Sequence, residues 1–200
     1  NVRPIATRRV RLWVMQGRLE ESLGWARQQG LSVENELSYL HEFDHITLAR
    51  VLLACYQSDH SNLNIQEGIG LLERLLKAAQ ESGRTGSMIE ILVLLALAKR
   101  MQGDIPAAFK PLQQALRLAE PDGYVRMFVD EGPNMMQLLR EAASHEIMPD
   151  YTGKLLAAFE LRNLESQPGV GTPPIQPIFK SEKSVLVEPL SQRELEVLKL

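Results

Sequence analysis

The chain has 200 residues, 44% hydrophobic and 24% charged, enough to bury a core. Its longest unbroken apolar run is the eight residues 91–98, far short of the roughly 20 that a membrane-spanning helix needs. A net charge of −3 leaves no broad basic face for phosphates, and one cysteine, Cys55, closes no internal disulfide and fits a reducing compartment.

Low aromatic content (6%) with plentiful Leu and Ala leans all-α. Periodicity predicts helices over 4–16, 19–29, 38–57, 64–82, 86–102 and 104–120. Shorter helices follow over 124–130, 133–145 and 151–164. Helix 64–82 carries a capping-box pattern, Asn64 with Glu67 three residues on, and ends at Gly83. Helix 86–102 is apolar nearly all round from Ile91 to Ala98, the pattern of a helix buried on several sides. Asp104 is placed to cap helix 104–120, with Pro106 in the first turn where a missing amide hydrogen costs little.

The first 120 residues repeat. Met15-Gln16-Gly17 with Ser22 matches Met101-Gln102-Gly103 with Ala108, and a third copy centres on Gly68. The small positions Ser22, Gly68 and Ala108 lie 46 and then 40 residues apart, a spacing that suits stacked helix hairpins. The glycine ends one helix in a left-handed cap, and the small residue lets the next helix approach closely. Registering the copies puts Arg11 and Arg50 at one first-helix position and Arg100 one turn further on. On the groove side these could meet a carboxylate, a sugar or an acidic peptide; the alternative is solvated surface charge.

Five of the eleven prolines fall in residues 166–189, which read as a partly extended linker. A new helix opens at Ser191, where Ser191 and Glu194 form a capping box with Leu190 and Leu195 as a hydrophobic staple. That pattern stops at Leu200, and the chain starts without Met or a basic-then-apolar leader. The expectation is an excerpt of a longer cytoplasmic protein.

No catalytic constellation stands out. His41-Glu42-Phe43-Asp44-His45 matches H-E-x-x-H, with Glu67 as a conceivable third zinc ligand. Asp44 inside the motif is unwelcome beside a metal, and no partner motif follows; a polar helix stripe explains it as well. Gly153-Lys154 lacks the first glycine and the Ser or Thr of a P-loop. Cys55 lies in an apolar helical run, where a buried inert thiol is expected.

Three segments carry a resemblance. Residues 190–198, reading L-S-Q-R-E-L-E-V-L, resemble the opening of the LuxR-type helix-turn-helix domain. Residues 39–52, Y-L-H-E-F-D-H-I-T-L-A-R-V-L, and residues 121–132, P-D-G-Y-V-R-M-F-V-D-E-G, resemble stretches of the MalT-like regulators, large ATP-binding members of the LuxR family. His41 stands where that family more often has Arg.

The resemblance implies an all-α, TPR-like helical-repeat superhelix over 1–165 that senses signals and self-associates. It is followed by the linker and by the truncated start of the DNA-binding domain at 190–200. It implies a small-molecule inducer or a regulatory protein as partner, with DNA reached only through the part beyond Leu200 and no membrane. It also implies that ATP binds a module before Asn1, so that this stretch holds no cofactor, metal or catalytic residue. The alternative is a TPR-like interaction scaffold with no small-molecule effector.

Overall fold

The computed structural model describes residues 5–165, with side chains over 5–163. Contacts divide the chain into Asn1–Ser166 and Gln167–Leu200. The linker at 166–189 and the segment at 190–200, with Ser191 and Glu194, therefore lie outside the described residues.

Among the described residues every regular element is helical. In order they are α1 (Ile5–Met15), α2 (Leu19–Gln28), a 3-10 turn (Tyr39–His41), α3 (Glu42–Asp59) and α4 (Asn62–Glu81). Then come α5 (Thr85–Met101), α6 (Ile105–Ala119), the one-turn α7 (Arg126–Val129), α8 (Pro133–Ser144) and α9 (Pro149–Glu165). None of these helices is long and apolar enough to cross a membrane.

The glycine signals mark real helix ends. Gly17 (φ +73°) and Gly103 (φ +80°) adopt the left-handed conformation that a Cβ would strain. Behind each, the next amide reaches back to the final turn: Arg18 N–H to the Trp13 carbonyl at 2.9 Å, and Asp104 N–H to the Lys99 carbonyl at 3.1 Å. Asp104 caps α6 as expected, its Oδ1 accepting from the Ala107 amide at 3.0 Å.

The α4 start differs from the sequence reading. The helix begins at Asn62, so Asn64 sits inside the first turn and forms no capping box with Glu67. The Asp59 carboxylate takes that role: it accepts from the Ser61 amide at 2.8 Å and from the Asn64 side-chain amide at 3.1 Å. Another departure is His60, a non-glycine residue at φ +53°, which closes α3 in left-handed conformation.

The helices pack as hairpins α1/α2, α3/α4, α5/α6 and α8/α9. The first helices also pack against one another in sequence, α1 on α3, α3 on α5 and α5 on α8, and so form one layer. At the small positions the approach is close. A Cβ added to Gly68 would lie 3.3 Å from Leu53 Cδ2, and Ser22 and Ala108 are fully buried.

Two apolar cores meet across α5. Ile91, Leu94, Leu95 and Ala98 face the core shared with α1–α4. Ile89, Leu92, Val93 and Ala96 face the core shared with α6–α9. Two opposite buried faces are why α5 has no polar stripe. By contrast α6 buries Ala108, Leu112, Ala115, Leu116 and Ala119, a single helical stripe.

Candidate functional site

One feature of α5 breaks its apolar run: Glu90, whose side chain is only 8% exposed. A carboxylate there needs cationic partners, because burying an unpaired charge is costly. The stacking of first helices supplies two. Arg11 of α1 donates from Nη1 to Glu90 Oε1 at 2.5 Å, and Arg50 of α3 donates from Nη2 to the same oxygen at 3.1 Å. Arg50 continues to Glu131, in the turn before α8, through bonds of 2.9 Å and 2.6 Å. A ladder of alternating charge, Arg11–Glu90–Arg50–Glu131, thus crosses the whole first-helix layer.

Arg11 is fixed further. Arg11 Nε donates to Thr47 Oγ1 at 3.0 Å, and its guanidinium lies 3.9 Å from the Phe43 ring centroid. Thr47 donates in turn to the Phe43 carbonyl at 2.8 Å. The charges also hold one another ionised. Burial disfavours the Arg50 charge, but Glu131 and Glu90 outweigh it and raise the Arg50 pKa above the usual range. Burial pushes the Glu90 carboxyl up, yet Arg50 and Arg11 together hold it below the ordinary glutamate value.

Beside the ladder lies an open cleft of about 390 Å3. The ladder forms one edge, through Arg11, Arg50 and Glu131. One turn further along α1 come Val14 and Met15, and one to two turns further along α3 come Leu53, Ala54 and Gln57. Leu94, Leu97 and Met101 of α5 complete the apolar wall, while Asp130 and Asn134 close the α8 side. Asp130 is itself paired, accepting from Arg162 Nη1 at 2.9 Å.

Arg11 and Arg50, which the repeat register places together, both meet acidic side chains of this chain. Arg100 does not join them. It lies ten residues beyond Glu90, about 15 Å along α5 at ~1.5 Å per residue, and it faces Glu141 of α8 at 3.8 Å. The α5 residue level with Arg11 and Arg50 is Glu90. Neither Glu90 nor Glu131 was anticipated. The signal available for Glu90 was a lone charge inside the apolar stretch from Met88 to Ala98.

The H-E-x-x-H residues go to separate tasks. Glu42 is buried and accepts from Arg84 Nε and Ser87 Oγ, both at 3.1 Å, which ties α3 to the start of α5. Asp44 accepts from Thr7 Oγ1 at 2.6 Å and so ties α3 to α1. His41 is exposed beside Asp44, whereas His45 is buried with Nδ1 donating to the His41 carbonyl at 2.9 Å. Burial lowers the His45 pKa, against that bond and the Asp44 charge, which favour protonation. Among the described residues no group of three or more His, Cys, Asp or Glu is arranged to hold a metal ion. Cys55 is buried, and burial, with Asp59 and Glu20 nearby, pushes its thiol up and disfavours the thiolate.

The stacked helix hairpins agree with a family match. A family model described as the MalT-like TPR region matches residues 1–145. The chain belongs to that family. No curated protein and no solved structure matches. The matched stretch of the MalT-like TPR region ends at the turn after α8, and α9 packs on α8 as the second helix of a further hairpin. All the residues that line the cleft fall within it.

Proposed function

We propose that this MalT-like TPR region is the sensing and self-associating segment of a LuxR-type transcriptional regulator. Its cleft takes an inducer or a regulatory protein, and occupancy controls DNA binding by a helix-turn-helix domain that begins at residues 190–200. Family membership over residues 1–145 supports the regulator reading. The observation that carries the sensing role is the cleft, because it joins α1, α3, α5 and the start of α8. A ligand held there touches four successive hairpins and so bears on how they stack.

In this reading the region catalyses nothing and holds no cofactor. ATP belongs to a module preceding Asn1, DNA to residues beyond Leu200, and the regulator works in the cytoplasm. Arg11 and Arg50 act through the ladder that shapes the cleft rather than as free anion receptors, and Arg100 braces α5 against α8. A second reading, an interaction scaffold without a small-molecule effector, draws on that same pairing, which leaves the cleft-edge arginines engaged within the chain.

The test uses the complete natural chain that carries this region. Chromatin immunoprecipitation should find it at discrete promoters, and Ala54→Phe, which fills the cleft, should change that occupancy. Absence from promoters refutes the regulator reading. Occupancy indifferent to Ala54→Phe favours the scaffold.

A further inference from the structure

The charge balance around the cleft sets the class of ligand. At the cleft edge Arg11 and Arg50 are paired with Glu90 and Glu131, and Asp130 on the α8 side is paired with Arg162. An incoming carboxylate has to displace Glu131 or Glu90 from Arg50, which strands a carboxylate that is 12% or 8% exposed. An incoming ammonium that pairs with Glu90 or Glu131 has to displace an arginine in the same way, while Asp130, 59% exposed and already paired with Arg162, is screened by water and offers it little. A group without net charge displaces nothing. Next to the ladder the wall is apolar, from Val14, Leu53, Leu94 and Leu97. The neutral amides of Gln57 and Asn134 offer a donor and an acceptor there.

We propose that the cleft binds a small molecule of no net charge, with an apolar body and a neutral hydrogen-bonding group, and discriminates against carboxylates and ammonium ions of the same size. This rests on the sensing role given to the cleft above. The body lies along the wall made by α1, α3 and α5, and the neutral polar group faces Gln57 and Asn134. The ladder supplies selectivity by being complete: its charges are already neutralised by one another.

Three probes of equal chain length test this on the 200-residue chain: octan-1-ol, octanoate and octylammonium, each competing with Nile red followed by fluorescence. Octan-1-ol should displace Nile red at a concentration at least about tenfold lower than either ion, given the cost of desolvating an unpaired charge. Glu131→Gln leaves Arg50 short of one partner, and it should move octanoate at least about tenfold toward tighter binding while leaving octan-1-ol within about twofold. Where that variant fails to keep helical circular dichroism, exposed Gln57→Glu serves instead and should shift preference toward octylammonium.

Octanoate equal to or better than octan-1-ol on the unsubstituted chain overturns the ligand class while leaving the cleft as a binding site. No Nile red binding, or binding unaltered by Ala54→Phe in a chain that keeps its helical signal, overturns the sensing role of the cleft itself.

Discussion

Substituting Glu90 by Gln removes the anion that Arg11 and Arg50 share. Its side chain is 8% exposed and theirs are 21% and 19% exposed, so all three sit where water screens poorly. Breaking a buried ion pair from one side costs about 3–5 kcal/mol. Arg50 keeps Glu131, and both arginines retain some solvent, so we expect a loss nearer about 2–3 kcal/mol. For a chain of this size each kcal/mol moves the midpoint by roughly 2–4 °C, which gives a fall of about 4–12 °C in thermal unfolding by circular dichroism.

The loss should also depend on pH. Glu90 titrates below its ordinary 4.5 in the folded chain, because Arg50 and Arg11 overcome the opposing effect of burial. A depressed carboxylate contributes stability that is full above its unfolded pKa and is lost as pH falls through the folded value. The gap between the parent chain and Glu90→Gln should therefore be constant near neutrality and shrink below the ordinary glutamate value. A midpoint within 1 °C of the parent at pH 7, by about the measurement's own scatter, would refute the ladder as a source of stability.

His45→Gln should flatten the pH dependence of stability on the acid side of 6.5, the ordinary imidazole value. The buried ring titrates below that value despite Asp44 and the His41 carbonyl, with His41 and Arg74 also opposing its charge, so the parent loses stability as pH falls from 6.5 toward the folded pKa. Urea unfolding at pH 7 and pH 5.5 reads the difference, and equal slopes contradict it. Two glycines of α4 should respond oppositely. Gly68→Val meets the buried Leu53 and Leu52 and should cost about 2–3 kcal/mol, whereas Gly70→Ala enters open space and should gain about 0.5–1 kcal/mol, both by denaturant midpoint. Asp104→Ala removes the oxygen that caps α6 and should cost about 1 kcal/mol in the same assay, with no change in the α3/α4 hairpin by hydrogen exchange.

Much of the stack was legible because local signals coincide with its corners. Gly17 and Gly103 end helices in the conformation that only glycine adopts without strain, and Asp104 caps where its spacing says. The apolar run of α5 announced a helix enclosed on two sides, and it stands between two cores. What escaped the reading depends on which side chains pair, and periodicity does not carry that. Asp59, five residues before Asn64, takes the Asn64 side-chain amide, and α4 starts two residues before the sequence pattern places it. Residues 30–37 carry no periodic signal, yet Arg74 of α4 holds them by the carbonyls of Val33 and Asn35. At the site, Arg11 and Arg50 both reach Glu90 from neighbouring first helices. Arg100, which the register sets one turn further on, lies ten residues past Glu90 and faces Glu141. Periodicity reports where a side chain faces and not which sign its partner carries.

The most direct measurement of the central claim is residue-level hydrogen exchange on the parent chain and on Glu90→Gln. If the ladder joins the first helices into one layer, exchange should rise in α1 and at the start of α8 as well as in α5, while α6 keeps its protection. A rise confined to the turns of α5 next to position 90 would mean that the hairpins stand independently of the ladder.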